Sequence, residues 1–196
     1  MTLSLLTSMA LFALAASLSP GPVNLVSVSS GARYGAAAGM RFISGATLGF
    51  IGLFLIIGLT LQHIISVLPW LTVALQWLGI SFLLYLSYQL FSDNGHASGQ
   101  AGSLAPNFIT GAVMQWLNPK AWLASVAGIV AYIPQADTEH VFIFAAVYLP
   151  VCWLSLAVWL WAGIALGRRV QSESALRLLN KTLAVLLAFS CILLVL

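Results

Sequence analysis

The feature that most constrains this chain is a long stretch, residues 42–92, that contains no aspartate, glutamate, lysine or arginine. As one helix at 1.5 Å per residue it would be about 75 Å long, more than twice the thickness of a bilayer core. The stretch must therefore fold back once. The polar cluster Gln62, His63 and Ser66, followed by Pro69, predicts that turn.

Composition identifies lipid as the natural solvent of the chain. Its 196 residues are 61% hydrophobic and 6% charged, whereas a soluble domain is typically about one quarter charged. The net charge of +3 does not indicate nucleic-acid binding, because the basic residues fall in short connections between apolar segments. Cys152 and Cys191 lie inside apolar runs and are expected to be buried thiols.

The hydropathy pattern predicts an all-α membrane protein that forms one transmembrane domain, residues 1–196. Six spans are expected, since about 20 apolar residues cross a bilayer. A polar loop, residues 92–106, divides them into two groups of three. The first span lies within residues 3–32, and the other five cover residues 39–62, 69–91, 108–133, 141–166 and 178–196.

Basic residues predict the orientation of these spans. The second and fourth loops contain none, and those of the first and fifth loops are Arg33, Arg41, Arg168, Arg169, Arg177 and Lys181. The positive-inside rule then places loops one, three and five in the cytoplasm and both termini in the periplasm.

Proline interrupts two predicted spans near their middle. The motifs are Ser19-Pro20-Gly21-Pro22, followed by Asn24, and Asn118-Pro119-Lys120. Proline lacks an N–H and crowds a carbonyl of the preceding turn, so each motif predicts a broken helix and free carbonyls. Such backbone is tolerated inside a membrane only where protein buries it or where it lines a cavity.

Each break is expected to start a new half-helix, at Pro22 and at Pro119, with Ser19 or Asn118 near the N-cap. Helix N-termini attract anions such as a carboxylate, and free carbonyls accept hydrogen bonds from an ammonium group. The predicted site for a substrate such as an amino-acid zwitterion therefore consists of eight residues: Ser19 to Pro22, Asn24, and Asn118 to Lys120.

The two motifs lie about half the chain apart, which predicts two related units, residues 1–91 and 107–196. Because each unit has three spans, the second enters the membrane in the opposite sense. This inverted repeat is the plan of many secondary transporters, with the substrate at the repeat interface.

Lys120 is the one ionisable residue well inside a predicted span, where insertion costs about 2.5 to 3.5 kcal/mol. Two interpretations stay open. The ammonium group contacts a substrate carboxylate or changes its protonation during transport, or it is structural and donates hydrogen bonds to carbonyls freed at the breaks.

With these motifs and the series Gly35, Gly39, Arg41, Gly45 and Gly49, the chain resembles the LysE/RhtB family of bacterial amino-acid exporters over essentially its whole length. The resemblance implies a multi-pass inner-membrane exporter of amino acids or their derivatives, driven by the proton gradient without ATP.

One position departs from many members of that family, which carry an acidic residue after the glycine that corresponds to Gly49. This chain has Phe50 there, and in this it resembles the branch that includes cysteine and O-acetylserine exporters. With no carboxylate inside a predicted span, we expect a neutral substrate.

Other functions are weighed against export. A passive channel or facilitator would use the same cavity. An intramembrane enzyme would need a nucleophile with a base, a carboxylate pair or a metal cluster, and the spans show none. His63, His96 and His140 fall in or beside loops without metal-ligand spacing, so we expect no metal and no cofactor. The glycine faces pack spans within one subunit or in a homodimer.

Overall fold

The computed structural model describes residues 2–64, 106–133 and 137–169 continuously, and single positions within 77–92 and 174–188. The continuous ranges contain five helices and no strand, which confirms the all-α class. Most of predicted spans three and six, and the loop 92–106 between the predicted repeats, lie outside the described residues. The helices are α1 (Leu3–Leu18), α2 (Pro22–Ile64), α3 (Phe108–Trp116), α4 (Pro119–Tyr132) and α5 (Thr138–Arg169).

Short polar side chains start the helices that do not start at proline. Thr2 Oγ1 accepts a hydrogen bond of 3.3 Å from the N–H of Leu5 at the start of α1. Asn107 Oδ1 accepts one of 2.9 Å from the N–H of Thr110 at the start of α3. These caps satisfy N–H groups that have no partner inside a helix.

Gly35 divides α2 into two segments, because its φ of 74° and ψ of −170° are not helical and suit only glycine. Gly31 and Gly39, on either side, both lie against the side chain of Leu160, so the chain turns back on itself here. The predicted first connection is therefore a single residue. Arg33 and Arg41, which were expected in a loop, are helical.

Glycine allows the backbones of α2, α3 and α5 to approach closely. A Cβ on Gly31 would collide with the backbone of Leu160 in α5, and one on Gly45 would collide with the backbone of Phe108 in α3. Gly39 and Gly49 likewise lie against α5 and α3, whereas Gly35 and Gly52 have no neighbour of this kind among the described residues. Small residues of this kind let helices pack without the long side chains of a soluble core.

Charged residues separate the molecule into two ends. Ala32 of α2 lies beside Gly167 of α5, so Arg33 and Arg168 mark one end, which we call the basic end. Gly58 of α2 lies beside Val141 near the start of α5, where Asp137, Glu139 and His140 mark the opposite, acidic end.

The two broken pairs of helices run in opposite directions between these ends. Phe12 of α1 contacts Tyr132 of α4 near the acidic end, so α1 and the first segment of α2 run from the acidic end to the basic end. Gly45 and Gly49 lie beside Phe108 and Ala112, so α3 starts toward the basic end and α4 continues to the acidic end.

Two described stretches, Pro22–Thr60 and Thr138–Arg168, are long and apolar enough to cross a bilayer. The first contains the reversal at Gly35, so the segment after that glycine forms its crossing part. Predicted span five lies inside α5, and predicted span two lies inside this second segment of α2.

Candidate functional site

The first break separates α1 from α2 and leaves residues 19–21 outside both helices. Ser19 closes α1: its N–H donates to Ala15 O at 3.1 Å and its hydroxyl donates to Ala16 O at 3.2 Å. Asn24 then reaches back from α2, and its Nδ2 donates to Ser17 O at 2.9 Å. Side chains on both sides of the break thus satisfy carbonyls at the C-terminus of α1.

Ser19 was expected near the N-cap of the second half-helix, and the structure contradicts this. It lies instead at the C-terminal end of α1, and α2 begins at Pro22 with no hydroxyl or amide side chain at its cap. The reason is that Pro20 and Gly21 form the extended connection, which places the serine on the earlier helix. The N–H groups of Val23 and Asn24 have no acceptor among the described residues.

The second break lies between α3 and α4 and follows the expected pattern. Pro119 is the first residue of α4, and Asn118 is its N-cap, whose Oδ1 accepts from the N–H of Lys120 at 3.1 Å. The carbonyl of Gln115, four residues before Pro119, is one of those that the proline was expected to free, but it accepts from the N–H of Asn118 at 3.2 Å. The break is therefore a closed turn rather than disrupted backbone.

Lys120 joins the two breaks across 101 positions of sequence. Its Nζ donates to Ser19 O at 2.7 Å, to Ser19 Oγ at 2.6 Å and to Pro20 O at 3.4 Å. Lys120 belongs to the N-terminus of α4, where a cation is unfavourable, but its ammonium group lies at the C-terminus of α1, where the helix dipole favours a cation. The contacts expected from the structural interpretation of Lys120 are therefore present.

A cavity of about 40 Å³, room for about three water molecules, lies where the breaks meet. Of the predicted site residues, Asn24, Asn118 and Lys120 line it. Ser19 and Pro20 contact Lys120, and Gly21 lies beside the ammonium group. Pro22 and Pro119 start the two helices and do not line the cavity.

Sequence reasoning missed most of the cavity wall. Gln115 was detectable, since it is a buried amide one turn before the Asn-Pro motif. The α5 residues were not, because nothing in their apolar segment marks them as facing a break. The additional lining residues are Ala16, Ser17, Val23, Phe50, Gln115, Ala121, Ala124, Tyr148, Cys152 and Leu156.

The cavity offers one cation and several uncharged polar groups. Among the described residues that line the cavity, Lys120 carries a formal charge at neutral pH and none carries a carboxylate. Asn24 uses its Nδ2 and Asn118 its Oδ1 in the hydrogen bonds above. Gln115 Oε1 accepts from Asn118 Nδ2 at 3.4 Å. Within the described ranges no cluster of histidine, cysteine and acidic residues is suited to a metal ion.

Aromatic rings line the cavity on the side of the acidic end. Phe50 and Tyr148 line it, and their ring centroids are 4.6 Å apart. They belong to what we call the aromatic cluster: Phe12, Phe50, Phe54, Tyr132, Phe144 and Tyr148. Because Phe144 and Tyr132 lie close to the acidic end, the cluster extends from the cavity toward that end.

Comparison with known proteins places this chain in a family. A family model described as LysE type translocator matches residues 14–196, most of the chain. The chain belongs to the LysE-type translocator family. It is therefore a membrane transport protein, as its apolar helices indicate.

Relatives of the translocator have one recurring description. A protein of Klebsiella pneumoniae named cysteine/O-acetylserine efflux protein is 25% identical over 194 residues, covering 98% of this chain and 97% of the relative. A protein of the same name from Escherichia coli K12 is 24% identical over 195 residues, 98% of each chain. The one from Salmonella typhimurium is 24% identical over 161 residues, 78% of this chain and 82% of the relative. No solved structure matches the chain.

Proposed function

We propose that this translocator exports a neutral amino acid or amino-acid derivative from the cytoplasm across the bacterial inner membrane, in exchange for protons. The observation that carries the proposal is the meeting of the two helix breaks around one cavity, joined by Lys120 and Ser19. The names of the relatives support efflux of an amino acid and of its derivative.

Both charged ends of an amino acid find partners in this cavity. The substrate carboxylate accepts from the N–H groups of Val23 and Asn24 at the start of α2 and from the Lys120 ammonium, whose Nζ lies beside Gly21. The substrate ammonium donates to Asn24 Oδ1 and Gln115 Oε1. Lys120 thereby exchanges part of its contact with Ser19 for the carboxylate.

Charge explains why a neutral side chain is proposed. A substrate with a second ammonium group would meet Lys120 and no carboxylate among the described lining residues. The repulsion of like charges at close range is large where water is excluded. The same absence argues against intramembrane catalysis by a carboxylate pair.

The opposite directions of the two broken pairs support the inverted repeat, with residues 1–91 and 107–196 as its units. The basic end carries Arg33, Arg41 and Arg168, which supports a cytoplasmic location for that end. The acidic end, with the N-terminus of α1, is then periplasmic, and six spans place both termini there.

The aromatic cluster favours a transporter over the passive channel. An open pore needs a continuous path, whereas here the rings occupy the route from the cavity to the proposed periplasmic end. In alternating access the cluster opens only after the cytoplasmic side has closed. In this proposal, the packed aromatic cluster belongs to the state with a closed periplasmic side.

Efflux from proteoliposomes loaded with labelled neutral amino acids tests the mechanism. An imposed proton gradient is expected to drive export against the amino-acid gradient. Equal rates with and without the proton gradient would establish a channel and refute secondary active export.

Pro119→Ala tests the second break. Alanine restores an N–H and lets α3 continue into α4, which moves Lys120 away from Ser19. Substrate binding is expected to weaken by about 1.4 kcal/mol or more, and export should therefore fall by about tenfold or more. Pro150→Ala is the matched control, because this proline lies inside α5 on an exposed face. Equal effects of both variants would show that the break has no special role.

A further inference from the structure

One wall of the cavity has no role in holding the carboxylate or the ammonium group. It consists of Ser17 on α1 and of Tyr148 and Cys152 on α5. Tyr148 is 1% exposed and Cys152 is 4% exposed, so neither polar group reaches bulk water. The Ser17 side chain belongs to the lining of the same cavity.

These three residues bring a hydroxyl, a phenol and a thiol to one place inside an apolar molecule. Each such group is costly to bury without a partner, and apolar side chains would fill the same space at lower cost. The Cys152 thiol has a further partner behind it, the buried hydroxyl of Thr47, with the two atoms 4.0 Å apart. The wall thus brings together groups that can both donate and accept hydrogen bonds.

The space in front of this wall is short. Phe50 stacks on Tyr148 on one side, and Leu156 and Ala124 complete the lining. About 40 Å³ of free volume corresponds to about three water molecules, so the space in front of the wall suits only a short side chain.

We propose that Ser17, Tyr148 and Cys152 form the side-chain subsite of the transporter and select substrates whose short side chain carries a hydroxyl or a thiol. The proposal rests on the export function proposed above. An amino acid with a methyl group at this position leaves the wall unpaired, whereas a hydroxyl or a thiol both donates to it and accepts from it.

The test compares serine with alanine as export substrates of the full chain in proteoliposomes, because the two differ by one hydroxyl. The wild type is expected to prefer serine. Ser17→Ala and Tyr148→Phe each remove one hydroxyl with almost no change of shape, and each is expected to reduce the ratio of serine to alanine export by about 3- to 10-fold. A ratio within one preparation does not depend on how much protein is folded.

Ser27→Ala is the matched control, because its hydroxyl is fully buried, donates to Val23 O at 2.8 Å and does not line the cavity. Its ratio should equal that of the wild type. If the wild type exports serine and alanine equally well, or if neither cavity variant changes the ratio, the subsite is refuted while the export function stands. If the wild type exports no amino acid, both proposals fail.

Discussion

Replacement of Lys120 by methionine separates its two interpretations by magnitude. The ammonium donates two short hydrogen bonds to Ser19, each worth about 1.5 to 3 kcal/mol when the donor is charged. Since Ser19 is exposed, we use the lower limit, about 3 kcal/mol in total. That sum equals the cost of inserting a lysine near the bilayer centre, about 2.5 to 3.5 kcal/mol.

The two terms cancel in Lys120→Met, because methionine loses the hydrogen bonds and also the insertion cost. We therefore expect the free energy of unfolding to change by no more than about 1 kcal/mol, or about 2 to 4 °C in melting temperature. Substrate binding should weaken far more. Loss of a charge-assisted hydrogen bond to the carboxylate, about 1.5 to 3 kcal/mol, corresponds to about a 10- to 100-fold higher Kd.

The assay measures melting temperature and Kd on the same detergent-solubilised protein, with efflux measured in parallel. Lys181→Met is the control, because this second lysine lies 5.3 Å from the ring of Phe91 and does not line the cavity. Arginine at position 120 should restore part of the affinity, since it keeps the charge. If Lys120→Met melts far below the wild type while its Kd per folded molecule is unchanged, the lysine is structural and the proposed carboxylate site is wrong.

Three further predictions concern packing, the aromatic cluster and pH. Gly45→Ala forces a Cβ into the α3 backbone and should destabilise the protein by about 1 to 3 kcal/mol. Gly52→Ala is the control, because the Cβ added there meets open space and should not destabilise the protein. Equal melting temperatures of the two variants would contradict this packing. Phe144→Ala should lower the free energy of unfolding by about 3 to 5 kcal/mol and let a thiol reagent added from the periplasm reach Cys152. Phe142→Ala, at an exposed ring, should have neither effect. Unchanged labelling of Cys152 in Phe144→Ala would argue against a closed periplasmic side. A hydrogen bond from His140 and one from the N–H of Glu139 lower the pKa of Asp137 from its ordinary value of 3.8. The stability that these bonds contribute is therefore present above pH 3.8 and is lost as pH falls through the lowered pKa. An NMR titration midpoint of Asp137 above 3.8 would contradict the contact.

Much of the fold was predictable, because its signals are local. Proline removes an N–H wherever it stands, so the motifs at residues 19–22 and 118–120 predict breaks without any knowledge of neighbours. Apolar length predicts helices that cross a bilayer, and spans two and five were located correctly to within a few residues. The turn at Gly35 was placed correctly but made too long, since a glycine with positive φ reverses the chain within one residue.

Sequence by itself determined that the chain forms membrane-embedded helices and where its backbone must be interrupted, because hydropathy and proline act within one segment. Tertiary structure alone decided that the ammonium of Lys120 lies at the C-terminus of α1, and that Ser17, Tyr148 and Cys152 form one wall of the cavity. These contacts join residues more than one hundred positions apart. Helix directions and close glycine packing bring them together, and no pattern along the chain records that packing.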